Sequence, residues 1–286
     1  MFRSVREAAR RIGGASVVVT FDPYPVEVFR PERRGSRLLT PAQKRRLTLE
    51  LGLDEMLELP FSWELARIPA DRFVDEILLE HLDLREIYVG YDFRFGRDRE
   101  GDASTLRRLG ESRGFRTIEV PPVMDGDLPI SSSRIRAALA EGDVSAAAAW
   151  LDRPYAVEGI VVTGRGEGAR LLVPTANLRT DRRLLLPGGG VYVADVEWGS
   201  GRRQGVVNIG RRPTLTEDVE STVEVHLLDW EGDLRGETLQ VHLLHRLRRE
   251  IKFPSLEALR EAIRADVASA RGWLSAGGSE GPRRRG

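Results

Sequence analysis

The chain has 286 residues, more than one compact core usually holds, and at about 150 residues per domain this predicts two domains. Hydrophobic residues make up 41% and charged residues 31%, a balance that excludes disorder for the bulk of the chain. Basic and acidic residues are equal in number, 44 of each, so the chain lacks the net positive charge that favours nucleic acid, and no nucleic-acid partner is expected.

Residue types restrict the class of protein further. The sequence contains no cysteine, which excludes a disulfide framework, a thiolate nucleophile and a cysteine zinc site. The apolar run Val17–Val19 is far shorter than the core of a signal sequence or a membrane span. These features predict a cytoplasmic protein with no membrane partner.

The first half of the chain alternates helical and strand-like segments. Apolar residues at helical spacing predict a helix from Phe2 to Ile12, ended by Gly13-Gly14. The β-branched run Ser16–Phe21 is typical of a strand buried on both faces. The later segments are predicted helices at 44–51, 73–81 and 106–114 and predicted strands at 55–59, 86–90 and 116–120. Residues 1–152 are therefore predicted to form an open α/β sheet with βαβ crossovers, in a series that begins on a crossover helix.

Beyond Arg153-Pro154 the pattern changes to short strand-like runs separated by Gly, Pro and Asp turns. The runs are 157–162, 190–196, 204–208, 222–228 and 238–244. This spacing predicts a small β-barrel or sandwich over residues 153–275. Ser255 precedes apolar residues at helical spacing, which predicts a closing amphipathic helix. Residues 276–286, rich in glycine and arginine, are predicted to be a disordered tail.

The densest candidate site in the second half is Gly164-Arg165-Gly166-Glu167-Gly168, followed by Pro174-Thr175-Ala176-Asn177. Glycines after a strand let backbone N–H groups approach a polyphosphate, and the Thr175 hydroxyl and Asn177 amide oxygen are hard ligands that suit Mg²⁺. The pattern predicts a nucleoside triphosphate site. A glycine-rich hairpin followed by a Pro-Thr turn is the simpler interpretation.

The predicted strand at 222–228 offers a second candidate. Alternation places Thr222, Glu224 and His226 on one face and apolar side chains on the other. A carboxylate held on a strand can accept the proton of a hydroxyl that attacks phosphorus. The alternative is the solvated outer face of a barrel strand, and a lone histidine such as His226 is more typical of packing or hydrogen bonding.

In the first half, Ser131-Ser132-Ser133 opens a predicted helix whose first turn carries Arg134 and Arg136. Hydroxyls and free N–H groups at a helix N-terminus, with arginine beside them, suit a phosphate group. The alternative is simple N-capping by serine with solvated arginines.

The loop Gly90–Gly96 follows a predicted strand and contains Asp92, Phe93 and Phe95. Its aromatic pair could flank a planar ring at the carboxyl edge of the sheet, where ligands of α/β proteins bind. The alternative is that these aromatic residues belong to the core beneath a loop.

Together these segments resemble the bacterial bifunctional riboflavin kinase/FMN adenylyltransferase family, also called FAD synthetases. The segments that carry the resemblance are 18–29, 90–96, 130–136, 174–177, 208–214, 224–229 and 247–253, and the likeness extends to about Leu274. The resemblance implies a Rossmann-like nucleotidyltransferase domain over residues 1–152, incomplete at its N-terminus. It also implies a small Greek-key β-barrel flavokinase domain over residues 153–275 with a C-terminal helix.

The resemblance further implies a chemistry and its partners. ATP-dependent phosphorylation of the riboflavin 5′ hydroxyl would give FMN, and adenylyl transfer to FMN would give FAD. The implied metal is Mg²⁺, with ATP as co-substrate. The implied site residues are Glu224 as the base, Thr175 and Asn177 for Mg²⁺ and ATP, Gly164, Gly166, Gly168, Ser132, Ser133 and Arg136 for ATP phosphates, and Asp92, Phe93, Phe95 and Arg212 for the flavin.

Some positions depart from the family pattern. Tyr24 replaces a usual histidine, Leu172 and Val173 replace a glycine and an aromatic residue, and Ala169 replaces a basic residue. The family's first strand and its Gly-x-Phe-Asp-Gly-x-His-x-Gly-His segment have no counterpart in the sequence, and their loss would leave a gap in the sheet. The expectation is a riboflavin kinase that forms little or no FAD. The alternatives are a catalytically degenerate flavin- or nucleotide-binding protein and an unrelated two-domain enzyme.

Overall fold

The structure is a computed structural model that describes residues 1–31, 35–163, 174–199, 201–213 and 219–278, without the side chains of 211–213 and 219–221. It divides into two compact units. The first is formed by Met1–Arg34 and Pro41–Ile130, and the second by Gly35–Thr40 and Ser131–Gly286. Across the described ranges, no helix is both long and apolar enough to cross a membrane.

The first unit alternates short helices and parallel strands. Its helices are α1 (Phe2–Ile12), α2 (Pro25–Phe29), α3 (Pro41–Glu50), α4 (Trp63–Ala66), α5 (Ala70–Arg72), which continues into a π-helical segment (Phe73–Leu79), and α6 (Ala103–Arg113), with a 3₁₀ turn at Arg97–Arg99. Its strands are β1 (Val17–Phe21), β2 (Glu55–Leu59), β3 (Glu86–Gly90) and β4 (Arg116–Val120), and a short hairpin of β5 (Met124–Asp125) and β6 (Leu128–Pro129). The predicted α/β class is confirmed, and β2, β3 and β4 have their predicted bounds.

The four parallel strands form two pairs, so the predicted sheet is interrupted, as expected from the gap that the missing first strand leaves. β1 pairs with β2 and β3 pairs with β4, and no strand among the described residues joins the pairs. Phe21 of β1 nevertheless packs against the core that contains Val89 of β3 and Leu106 of α6. The run Val17–Val19, predicted to be buried on both faces, is only half-buried, with Val19 36% exposed. This follows from the pairing, because in the described part of the chain β1 has a strand neighbour on one edge only.

The first helix ends where the sequence predicts but buries a different part of its face. Gly13 adopts the left-handed conformation at φ 69° and caps α1 through its N–H group. The buried side chains are those of Ala8 and Ala9, whereas Phe2 and Ile12, part of the predicted apolar face, are exposed. Periodicity locates the face of a helix, but it does not show how far along that face the packing extends.

The second unit is a closed six-stranded barrel with helices packed on it. Its strands are β7 (Tyr155–Val162), β8 (Ala176–Thr180), β9 (Gly190–Trp198), β10 (Gly201–Pro213), β11 (Val219–Leu227) and β12 (Thr238–Arg249). Its helices are α7 (Ser132–Glu141), α8 (Val144–Leu151) and α9 (Leu256–Trp273), the last followed by a π-helical turn (Leu274–Gly278). Neighbouring strands are antiparallel in the closed order β10-β11-β8-β7-β12-β9. The predicted barrel is confirmed.

The barrel elements differ from the prediction mainly in length. β10 and β12 have 13 and 12 residues and are longer than predicted. In both strands, charged side chains interrupt the apolar alternation that marks a strand. β12 also contains two register shifts. β8 forms where the sequence predicts only a turn, and α8 has no predicted counterpart. Of the predicted disordered tail, residues 276–278 lie in the helical turn and the remainder lies outside the described residues.

The compact units do not follow the predicted domain limits of 1–152 and 153–275. Helices α7 and α8 belong to the unit of the barrel, where α8 contacts β7 and β12. The Arg136 side chain of α7 donates a 2.7 Å hydrogen bond to the carbonyl of Ser36, in the short segment that also belongs to this unit. The limits of the functional domains stay a prediction.

The closing helix α9 covers part of the outer wall of the barrel. Ser255 caps it, as predicted, by accepting a hydrogen bond from the Ala258 N–H group. Ala270 packs in one cluster with valines of β9, so that β9 is buried on both faces. The buried Asp266 carboxylate accepts two 2.8 Å hydrogen bonds from Arg248 at the end of β12, which attach the helix to the barrel.

The C-terminal end of α7 fits closely against the barrel. Gly142 caps α7 in the left-handed conformation at φ 79°. Arg246 of β12 donates hydrogen bonds to the carbonyls of Glu141, at 2.6 Å, and of Gly189. A Cβ on Gly142 would overlap the Arg246 guanidinium and the Tyr192 hydroxyl. Glycine is therefore needed at position 142 both for its φ and for its small volume.

We expect Gly142→Ala to destabilise the barrel unit more than Gly236→Ala. Both positions have positive φ, which costs alanine about 1–2 kcal/mol, but no atom of the described residues lies within 4 Å of a Cβ at Gly236. Steric overlap at position 142 should add a further ~1–3 kcal/mol. Thermal unfolding followed by tryptophan fluorescence measures the difference, and equal losses in the two variants would show that the contact with Arg246 is unimportant.

The barrel should lose stability as the pH falls below about 6.5, the ordinary pKa of histidine. Burial lowers the pKa of His242, although Glu197, 3.5 Å from its Nε2 atom, opposes the shift. The unfolded chain therefore binds the proton more readily than the folded chain, and acidification favours unfolding. His242→Gln should reduce the pH dependence of the unfolding free energy between pH 7.5 and about 5.5, and an unchanged pH dependence in this variant would contradict the role of His242.

Candidate active site

Strand β11 presents its polar residues on the outside of the barrel. Val223, Val225 and Leu227 point to the interior and are at most 5% exposed. Thr222, Glu224 and His226 lie on the opposite face and are half-buried. This is the predicted alternation. The barrel interior is apolar along β11, so any chemistry of this strand takes place on its outer face.

Glu224 lies in a row of polar side chains across three strands. The register pairs it with Asn208 of β10 on one side and with Asn177 of β8 on the other. Paired residues of neighbouring strands share a face, with their Cβ atoms about 5 Å apart. A carboxylate is thus flanked by two amides, each of which offers hydrogen-bond donors and an acceptor. We call Asn177, Glu224 and Asn208 the polar row.

Thr175 and His226 lie directly after the last pair of the ladder between β8 and β11. The ladder between β8 and β11 ends at Ala176, and Thr175 comes directly before it. The Nδ1 atom of His226 lies 2.9 Å from the carbonyl oxygen of Pro174. This hydrogen bond holds the segment that enters β8 beside β11, so that the hydroxyl of Thr175 and the amide of Asn177 belong to one short, tethered stretch of chain.

A second carboxylate, that of Glu250, lies along the same outer face, on the side of Glu224 away from His226. Glu250 follows β12, and its carboxylate lies over Gly210 of β10, where a Cβ would be 2.9 Å from Glu250 Oε1 and 3.4 Å from Thr222 Oγ1. Thr222 precedes Glu224 by two residues, a spacing of about 7 Å along a strand. The missing side chain at position 210 therefore makes room for a carboxylate near Glu224.

At the other end of β11, Asp229 is paired with the helix α9. Arg271 donates two hydrogen bonds to its carboxylate, at 2.9 and 2.6 Å. These bonds, together with the nearby His226, hold the pKa of Asp229 below its ordinary value. Asp229 is therefore engaged as an anion with α9.

Several predicted site residues lie outside the described residues. These are Gly164, Gly166 and Gly168 of the glycine-rich segment, together with Ala169, Leu172 and Val173. Arg212 lies in β10 and its backbone pairs with Glu220, but its side chain is not among those that the structure describes. β7 ends at Val162, which pairs with Asn177, so the chain leaves the barrel beside the polar row two residues before Gly164. The roles of the glycines and of Arg212 stay predictions.

Among the three serines at the start of α7, Ser131 caps the helix. The Ser131 side chain accepts a hydrogen bond from the Arg134 N–H group at 3.3 Å, and Ser132 and Ser133 are the first residues of the helix. Arg136 is not a solvated side chain, because it donates to the Ser36 carbonyl. The predicted role of Ser132, Ser133 and Arg136 in binding phosphate is not tested by these contacts and stays a prediction.

The two aromatic residues after β3 stack on each other. The ring centroids of Phe93 and Phe95 are 5.5 Å apart at 21°, and Phe95 belongs to the buried core beside Phe73. A planar ring inserted between two others needs about 7 Å, twice a van der Waals contact of ~3.5 Å. The pair therefore does not flank a ring in this conformation, and core packing accounts for Phe95. The exposed Asp92, the half-buried Phe93 and the buried Phe95 all remain predicted flavin contacts.

Two family models match the chain, riboflavin kinase over residues 151–274 and FAD synthetase over residues 1–134. The bifunctional riboflavin kinase/FMN adenylyltransferase of Pseudomonas fluorescens is 42% identical over 268 residues, which cover 93% of this chain and 85% of the relative. The protein of the same name from Escherichia coli K12 is 36% identical over 273 residues, 95% of this chain and 86% of the relative. The chain belongs to the bifunctional riboflavin kinase/FMN adenylyltransferase family.

A solved structure supports the fold of this family member. The structure described as a macrolide-efflux protein from Streptococcus pneumoniae matches with a TM-score of 0.85 and 32% identity, over 95% of this chain and 88% of that chain. The transport named in that description concerns the other protein, and the likeness carries over the fold.

The two family matches divide the candidate residues between two activities. The FAD synthetase match contains β1–β4 and the start of α7, and with them Asp92, Ser132 and Ser133. The riboflavin kinase match contains the barrel and α9, and the whole polar row lies within it. The site with the most defined geometry is therefore that of the riboflavin kinase half.

The sequence pattern alone does not mark Asn208 as a site residue. Its place in the polar row depends on the register between β10 and β11, which a sequence pattern does not provide. The available signal was a single polar residue within the apolar stretch Val206-Val207-Asn208-Ile209. The bond between His226 and Pro174 was equally hidden, because it joins residues 52 positions apart.

Proposed function

We propose that the polar row is the centre at which the chain transfers a phosphoryl group from ATP to the 5′ hydroxyl of riboflavin. The chain acts in FMN and FAD biosynthesis as a riboflavin kinase of the bifunctional family. The observation that carries the assignment to this site is the register that sets Glu224 between Asn177 and Asn208 on one outer face of the barrel.

The carboxylate of Glu224 suits the role of general base. Phosphoryl transfer passes through a loose transition state, so that catalysis depends on positioning the reactants and stabilising charge. Glu224 sits on a paired strand of a closed barrel, which fixes its backbone relative to both neighbours. From there it accepts the proton of the attacking 5′ hydroxyl, while the amide of Asn208 can bind a hydroxyl of the ribityl chain.

The residues beside Glu224 fit a magnesium ion that arrives with ATP. Mg²⁺ is usually held by one or two protein oxygens together with substrate phosphates and water. In the described residues no group of three or more His, Cys, Asp or Glu side chains is arranged to hold a metal. The oxygens of Thr175 and Asn177 would provide two neutral hard ligands, and the bound ion would neutralise charge on the terminal phosphates.

The FAD synthetase half supplies residues for a second reaction, adenylyl transfer to FMN. Ser132, Ser133 and Arg136 would bind ATP phosphates there, and Asp92 and Phe93 would contact the flavin. In the family this reaction also uses histidines of a Gly-x-Phe-Asp-Gly-x-His-x-Gly-His segment. The 286 residues contain four histidines, His81, His226, His242 and His245, and none lies in such a segment.

Replacing Glu224 by glutamine should abolish most FMN formation while riboflavin and ATP still bind. Glutamine keeps the size and hydrogen-bonding capacity of the side chain but cannot accept the hydroxyl proton, and loss of a general base costs roughly 10²–10⁴-fold in rate. The rate of FMN formation with saturating riboflavin, ATP and Mg²⁺ measures the effect.

The matched control is Glu261→Gln, which neutralises an exposed carboxylate of helix α9, outside the polar row. We expect it to retain the full rate. A Glu224→Gln variant that is as active as this control would show that Glu224 is not the base.

A further inference from the structure

We propose that His226 is a positioning residue of the kinase site: its Nδ1–H group holds the Pro174 carbonyl, and so sets Thr175 next to Glu224, without taking part in proton transfer. The inference rests on the proposed function of the polar row. It concerns a residue whose type alone indicates only packing or hydrogen bonding.

The hydrogen bond defines the tautomer of His226. A carbonyl oxygen can only accept, so the ring nitrogen 2.9 Å from Pro174 must carry the proton. In the neutral ring, Nε2 is then the unprotonated nitrogen. The imidazolium form keeps the proton on Nδ1 as well. The bond to Pro174 therefore persists in both charge states, and the positioning does not depend on titration of the ring.

The bond acts at the point where the backbone pairing stops. The ladder between β8 and β11 includes Val225↔Ala176 and goes no further toward the N-terminus of β8. Residues 174 and 175 lie just beyond it and are not part of a strand. The His226 side chain thus attaches this segment, beyond the end of the ladder, to the same strand that carries Glu224.

The position of Thr175 depends on this attachment. Thr175 lies between Pro174, held by His226, and Ala176, held by the ladder. Fixing both neighbours restricts where the Thr175 hydroxyl can lie. If the bond is lost, the hydroxyl is no longer preorganised for the phosphates and their metal ion, and the binding of magnesium–ATP weakens more than the chemical step slows.

The charged groups around His226 do not require it to act as an acid or base. Glu224 lies two residues away on the same face, and Asp229, which is bonded to Arg271, interacts with the ring electrostatically. Glu224 alone is placed in the polar row between two amides. A positioning role and an acid–base role predict different pH profiles, which the variants below separate.

Three variants test the proposal in the full chain. His226→Asn keeps an N–H donor near the position of Nδ1, His226→Phe keeps the ring volume without a donor, and His226→Leu is a second variant without a donor. We expect the Phe and Leu variants to raise the KM for magnesium–ATP and the Mg²⁺ concentration for half-maximal rate about tenfold, the size of one net hydrogen bond. kcat should change less, and the Asn variant should stay within about threefold of the parent chain.

Two further measurements, the pH–rate profile and the tautomer of the His226 ring, distinguish a positioning role from a merely structural one. The Asn variant should keep the acid and alkaline limbs of the parent profile. In the long-range ¹H–¹⁵N spectrum of histidine-labelled protein, the His226 signal, assigned by its loss in the Asn variant, should show a protonated Nδ1 and an unprotonated Nε2 in the neutral ring.

Each contrary result overturns the inference in a different way. An Nε2–H tautomer would show that the bond to Pro174 does not form, and loss of one limb in the Asn variant would show an acid–base role. A fall in kcat with an unchanged requirement for magnesium–ATP would show a general structural effect. Glu224→Gln, measured in parallel, separates the hypothesis about His226 from that about the kinase site. If Glu224→Gln is inactive while the His226→Phe variant behaves like the parent chain, only the proposed role of His226 is wrong. An active Glu224→Gln variant would refute the proposed site itself.

Discussion

The antiparallel register of β8, β11 and β10 is the constraint on which the candidate site depends. Closure of the six strands leaves these three strands no freedom to slide, because a shift by one residue would turn the apolar interior of β11 outward. The same register that buries Val223 and Val225 therefore aligns Asn177, Glu224 and Asn208 on the outside. Folding stability and the arrangement of the polar side chains have one physical origin.

The remainder of the barrel unit supports this arrangement. Helix α9, attached through Asp266 and Arg248, covers β9 and leaves the polar face of β11 half-buried rather than sealed. Two glycines make room where side chains would interfere, Gly142 for the Arg246 guanidinium and Gly210 for the Glu250 carboxylate. Where backbone pairing ends, the side chain of His226 continues it. Of these contacts, the bond from His226 acts on the backbone directly beside a predicted functional residue, Thr175.

The sequence predicts the composition of the site better than its geometry. Alternation along β11 correctly separates Glu224 from its apolar neighbours, and the α/β and barrel halves follow from the change in periodicity. Register, however, depends on contacts between distant segments, so local sequence patterns do not reveal the pairing of Asn208 with Glu224 or the bond from His226 to Pro174.

Residue types alone also mislead. The run Val17–Val19 has the residue types of a central strand, but in the described residues β1 pairs on one edge only. The stacked pair Phe93 and Phe95 shows that residue type does not distinguish a ligand contact from core packing.

The central claim is that this outer face of the barrel performs phosphoryl transfer rather than binding a flavin without reaction. The most direct measurement is the stoichiometry of ADP and FMN formed by the purified 286-residue chain from riboflavin, ATP and Mg²⁺. The account predicts one ADP for each FMN and no turnover when Mg²⁺ is removed. Retention of unmodified riboflavin with no release of ADP would contradict the account and identify the chain as a flavin-binding protein without kinase activity.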